Sequence, residues 1–125
     1  MNKQLNIALL LGSIYFYIVS ALHFIGFKIP MFFVYYDVDS TVYQDRIISV
    51  LSFIFATFIY SGFKIKNKEL TKYIIFSGFV AVFGLAISNF LTRSSFRNNP
   101  IYWLEIGLLT LYVITLYILN KRQIN

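Results

Sequence analysis

The sequence predicts an all-α fold, an integral membrane four-helix transmembrane bundle with short loops and one longer amphipathic outer connector over 28–46. Composition is the first reason. The 125 residues are 58% hydrophobic and 13% charged, against roughly 45–50% and about 25% in soluble domains. A soluble chain this short has too much surface for its volume to hide so much apolar area from water. The second reason is four apolar runs of 17–23 residues, each the length that crosses a hydrocarbon core of about 30 Å as a helix. The third is that backbone inside lipid must satisfy its own hydrogen bonds, which leaves helices for runs of this length. Strands of a barrel would be shorter and would alternate.

The first run, Leu5–Phe27, is interrupted only by Asn6, small polar residues and His23. Its basic flank is Lys3 alone and three further runs follow. It therefore reads as a retained span and not a cleaved signal peptide, although Val19-Ser20-Ala21 loosely resembles a cleavage site. The other runs are Ile47–Phe63, Tyr73–Leu91 and Ile101–Leu119. Lys64–Lys72 is a hydrophilic turn that makes the second and third helices antiparallel neighbours. Thr92–Pro100 is another, and Asn99-Pro100 reads as an N-cap followed by proline at the first helical position. The connector 28–46 opens at Pro30, continues through the aromatic stretch Met31–Tyr36 and ends in Asp37, Asp39, Gln44, Asp45 and Arg46. Such a segment suits the membrane interface. One domain, 1–125, accounts for the whole chain.

Orientation follows from the basic residues. With the N-terminus inside, seven Lys and Arg lie on the inner side and four on the outer, Lys28, Arg46, Arg93 and Arg97. The positive-inside rule favours this arrangement in a cell membrane, with both termini cytoplasmic. Asp37, Asp39, Asp45 and Glu105 then fall outside, and the whole net charge of +6 sits on the inner face. Attraction to anionic lipid explains that charge, so nucleic acid is not an expected partner. Tyr35, Tyr36, Tyr43, Tyr102 and Trp103 would mark the outer interface, and Tyr60, Tyr73 and Tyr117 the inner one. The richness in Ile, Asn, Lys, Phe and Tyr points to an AT-rich bacterial genome.

Function classes are narrowed by what is missing. There are no cysteines and one histidine, so thiol redox chemistry, disulfide frameworks and Cys- or His-rich metal sites are not expected. No phosphate loop, nucleophile elbow or metalloprotease motif is present, and no cofactor is expected.

Helical spacing assigns faces. The second helix places Asp45, Ser49, Ser52 and Ala56 together, and the third Ser77, Ala81, Gly84 and Ser88. Small residues let membrane helices approach closely, so both stripes are expected in the bundle interior. That puts Asp45 inward while Arg46 points elsewhere. The first helix aligns Ser13, Phe16, Ser20 and His23, and the fourth Tyr102, Glu105, Leu109 and Tyr112. Each helix therefore brings polar groups to the outer end: His23, Asp45 with Arg46, Asn89 with Arg93, and Glu105. The inner half offers only small hydroxyls and Tyr112. Ionisable groups in spans tend to face the interior and pair. These six residues are the candidate ligand-binding set, roofed by the aromatic connector. Asp37 and Asp39, one residue apart as in cation loops, read better as a solvated loop.

The leading expectation is a membrane protein that binds an apolar or amphiphilic ligand, or a membrane protein partner, through that cluster. A structural or accessory subunit of a membrane complex is the second reading, and a small transporter built as a homo-oligomer the third. A histidine, two carboxylates and an arginine are ingredients of acid–base chemistry, but no nucleophile motif accompanies them.

Overall fold

The structure, a computed structural model, describes residues 2–30, 33, 36–37, 39–91 and 99–122. It is a bundle of four helices: α1 (Lys3–Phe24), α2 (Val42–Ile65), α3 (Lys68–Leu91) and α4 (Pro100–Lys121). No strand occurs among the described residues. At 1.5 Å per residue the helices are about 33–36 Å long. All four are long and apolar enough to cross a membrane.

The ends are written in local chemistry. Asn2 caps α1, its side chain accepting from the Gln4 amide at 3.1 Å. Three residues sooner than the apolar run suggests, α1 stops at Phe24, and Gly26 turns the chain with φ +72°. Conversely α2 begins at Val42, inside the predicted connector. Thr41 and Gln44 form a capping box there, each side chain bonding the other's backbone N–H at 3.2 and 2.9 Å. This cap brings residues 42–46, with the polar Gln44, Asp45 and Arg46, into the helix. The expected turn over Lys64–Lys72 is tighter still, because α2 runs to Ile65 and α3 starts at Lys68. Lys66 takes the left-handed conformation. The Asn67 side chain accepts from the amides of Glu69 and Leu70 at 2.8 and 3.1 Å, two of the orphan donors of α3. Asn99 caps α4 through the Ile101 amide at 3.0 Å, with Pro100 following as expected.

The helices run up, down, up, down. We call the end bearing the 66–67 turn and both termini the terminal end, and the other the loop end. α1 packs most extensively on α2, and α3 on α4, while α1–α4 and α2–α3 meet over less of their length. The core lies in the terminal half. Leu5, Leu9, Ile59, Ile74 and Leu116 are at most 1% exposed there. Glycines permit that closeness. A Cβ on Gly62 would overlap Ile74, and one on Gly12 would overlap the Tyr112 hydroxyl. Outward faces carry bare apolar side chains such as Leu11, Phe76, Phe83, Phe90 and Leu111. A hydrocarbon solvent accepts such a surface and water does not.

Three of the four predicted stripes turn inward. Ser13, Ser20 and His23 of α1, Asp45, Ser49 and Ala56 of α2, and Tyr102 and Glu105 of α4 are buried. Tyr102, at 3% exposure, is therefore not an interfacial belt residue. The α3 stripe is corrected: Ala81, Gly84 and Ser88 are exposed and Ser77 only half-buried. α3 instead turns Thr71, Ile74, Ile75, Gly78 and Asn89 inward. Ile74 meets Gly62 of α2, and a Cβ on Gly78 would lie 2.8 Å from Val113 of α4. Larger side chains than the small stripe fill the interior.

Candidate functional site

The loop end of the α1–α2 pair carries a linked polar cluster. Ser20 and Ser49 bring the two helices together, each hydroxyl donating to the other's backbone carbonyl at 2.8 Å. One turn beyond Ser49 stands Asp45, in the first turn of α2, where the helix dipole favours a carboxylate. Its Oδ1 accepts from Ser40 Oγ at 2.7 Å. Ser40 Oγ in turn accepts from Lys28 Nζ at 2.5 Å, and Lys28 Nζ itself lies 3.9 Å from Asp45 Oδ1. His23 Nδ1 is 3.8 Å from the same oxygen, too far for a hydrogen bond. That nitrogen is buried with no hydrogen-bond partner. The imidazole meets the ring of buried Phe33 edge-on, with centroids 4.4 Å apart.

A second cluster binds the connector to the start of α4. Tyr102 Oη donates to Asp37 Oδ1. Asn99 Nδ2 donates to Asp37 Oδ2 at 3.4 Å and to Tyr36 Oη at 3.2 Å. Asp37 is thus more than the solvated loop residue the spacing suggests, while Asp39 is exposed.

Glu105 lies one turn deeper than Tyr102 and is 4% exposed. Asn89 of α3 is 8% exposed, and its Nδ2 is buried with no hydrogen-bond partner. Beneath these two residues is a cavity of about 100 Å³. All four helices contribute to it, through Phe16, Phe55, Leu85, Leu109 and Tyr112 among others. Glu105 stands one turn above Leu109 and Asn89 one turn above Leu85. Ala81 lines the cavity and is exposed. It lies on the edge of α3 that faces α2, so the cavity reaches the bundle surface at the α2–α3 seam.

The six predicted residues are therefore divided. His23 and Asp45 come together. Glu105 and Asn89 flank the top of the cavity. Arg46 faces away from Asp45, its guanidinium 5.8 Å from the Phe24 ring centroid. Arg93 lies outside the described residues, as do Arg97 and the roof residues Met31, Phe32, Val34 and Tyr35.

Sequence reading missed Lys28, Ser40 and Asn99 as partners, because they reach the cluster across turns that carry no helical period. It also gave the terminal half only hydroxyls and Tyr112. Asn6 Oδ1 and Asn120 Oδ1 are buried there with no hydrogen-bond partner, and Thr71 is fully buried, donating to the Asn67 carbonyl at 2.9 Å. Asn120 was legible as the residue one turn past Leu116 on the same face. Among the described residues no group of three or more His, Cys, Asp or Glu is placed to hold a metal ion. No family model, curated protein or solved structure matches this chain.

Proposed function

We propose that this is a multi-pass protein of the cell membrane, termini in the cytoplasm, that binds a single-chain amphiphile between its helices. The tail enters at the α2–α3 seam past Ala81, and its end fills the cavity. The polar head rests near Asn89 and Glu105. What supports this reading is the stacking of an apolar cavity directly under two buried polar side chains, Asn89 and Glu105. Ligand sites are built that way, with apolar walls for affinity and few polar groups for orientation. The cavity matches a few carbons of a chain, since apolar cavities of about 150 Å³ take benzene. The unsatisfied Asn89 amide suits a head bearing an acceptor oxygen.

The test is lipid extraction and mass spectrometry of protein purified from membranes. Wild type is expected to carry a single-chain amphiphile near one per chain. Ala81→Trp, which plugs the cavity mouth, is expected to lose it at least tenfold while unfolding at the same temperature. Identical extracts from both proteins overturn the reading.

A second reading, an accessory subunit, draws on the exposed Ala81–Gly84 edge of α3, where a partner helix could approach closely. A stoichiometric membrane protein that leaves with Gly84→Leu, in chains that carry no amphiphile, selects it.

A further inference from the structure

On the outer face of the α1–α2 pair lies a second groove, open to the surrounding solvent and about 490 Å³ in volume. Its floor is the Ser20–Ser49 contact. The hydroxyls there are spent on each other's backbone, so the floor asks for no further hydrogen bond. Its walls are apolar, Ala21 and Phe24 on one side and Val50 and Phe53 on the other. Ala21 and Val50 are too short to fill the space between the two phenylalanines. Tyr17 closes the deep end, its hydroxyl 3.1 Å from Thr57 Oγ1.

The mouth of the groove carries a cation. Arg46 precedes Val50 by four residues and Phe53 by seven, which is one helix face. Its guanidinium is steadied over Phe24, 5.8 Å from the ring centroid. Asp45, the adjacent acid, is turned inward to Ser40, Lys28 and His23. Among the described residues no carboxylate lies within ion-pair distance of Arg46. An exposed arginine at the first turn of a spanning helix thus tops an apolar channel that runs about 10 Å down the helix.

We infer that this groove holds one anionic phospholipid, its phosphate paired with Arg46 and the upper part of one acyl chain lying between Phe24 and Phe53. Guanidinium matches phosphate in shape, donating two parallel N–H bonds. A zwitterionic head brings its own ammonium to the same phosphate. An anionic head leaves the phosphate charge to the protein, and this gives the selectivity. The groove shares no lining residue with the four-helix cavity, so it stands or falls independently of the amphiphile reading.

Native mass spectrometry of the full chain, released from nanodiscs of phosphatidylcholine with an equal share of phosphatidylglycerol, tests this. Wild type is expected to retain one phosphatidylglycerol in at least tenfold preference over phosphatidylcholine. Arg46→Gln is expected to abolish the preference, and Arg46→Lys to restore part of it. Ala21→Phe, which fills the groove and leaves Arg46 in place, is expected to lower retention of both lipids. Thermal unfolding in pure phosphatidylcholine should be unchanged in all variants, since none touches the core. Equal retention of both lipids by wild type overturns the inference. So does undiminished preference in Arg46→Gln, or full retention in Ala21→Phe.

Discussion

At the terminal end five aliphatic side chains from all four helices are sealed to 1% exposure or less. At the loop end the same four helices present the buried polar side chains His23, Asp45, Asn89 and Glu105. The two halves are built from the same helices. They differ in what holds them together. In lipid, burying an aliphatic side chain brings little hydrophobic gain, so the terminal half depends on close fit. The loop half depends on a few directed polar contacts, each reached by a side chain from a turn or a helix end. Close fit leaves no room for a ligand. Directed contacts leave gaps between them: the groove lies among them, and the cavity runs from Leu85 and Leu109 down to Ile59, Ile74 and Leu116 at the top of the sealed core.

The largest expected effect comes from breaking the close-fitted half. Leu9→Ala removes a fully buried side chain that approaches the Gly62 crossing. It should destabilise the bundle by about 3 kcal/mol, the low end of core truncations, because lipid removes much of the transfer part and leaves the cavity part. Reversible unfolding in mixed micelles measures it. A loss near 1 kcal/mol would mean that the terminal half is no better packed than the rest.

Next comes Asp45→Ala. It strands Lys28, Ser40 and His23 around an empty position. Removing one partner of a fully buried ion pair costs about 3–5 kcal/mol. Here the Lys28 and Asp45 side chains are 21% and 11% exposed, so water relieves part of the loss, and about 2 kcal/mol is expected. Asp45→Asn keeps an acceptor for Ser40 and should cost less than Asp45→Ala. Equal losses from both substitutions would show that the charge carries the whole contribution and the neutral acceptor none.

These contrasts explain what was legible beforehand. The four helices followed from run length and hydropathy. The inward faces of α1, α2 and α4 followed from a 3.6-residue rhythm of small and polar residues. On α3 that rhythm misled, because apolar residues surround the helix and Ile74 and Ile75 fit the interior as well as Ala81 and Gly84. The early start of α2 was written in Thr41 and Gln44, but the polar run Gln44–Arg46 masked it. The joining of Lys28, Ser40 and Asp45 depends on how a turn folds back, and no local pattern carries that. The division of the six candidate residues has the same origin. Spacing says which face a residue takes, but not which neighbouring helix that face meets.

A smaller effect sharpens the comparison at the α1–α2 contact. Ser20→Ala and Ser49→Ala should each cost about 0.6–1.7 kcal/mol, as interhelical hydrogen bonds in membranes do. Their double-mutant cycle should show coupling of about 1 kcal/mol, since each hydroxyl also lies 3.2 Å from the other. Strict additivity would mean that the two bonds to backbone carbonyls, each of which survives the other's substitution, act independently. No cost from either single substitution would mean that the helices approach by size alone, as in the terminal half.

The smallest effect on stability belongs to Tyr102→Phe. The ring of Tyr102 is 3% exposed and its packing survives the change. The hydroxyl bond to Asp37 is lost, and Asp37 is itself exposed. Water replaces much of what is removed, so about 0.5 kcal/mol is expected. The local consequence is larger than the global one. Asp37 holds the connector to α4 through Tyr102 and Asn99, and the Asn99 contact at 3.4 Å is the weaker of the two. Without Tyr102 Oη the segment around Tyr36 and Asp37 should open, and its amides should exchange with solvent faster by tenfold or more. Exchange within α1 and in the Leu5–Leu116 core should stay at wild-type rates. Uniform acceleration through the bundle would show that the connector bond supports the whole fold, and that the loop half is not an independently adjustable layer over a sealed base.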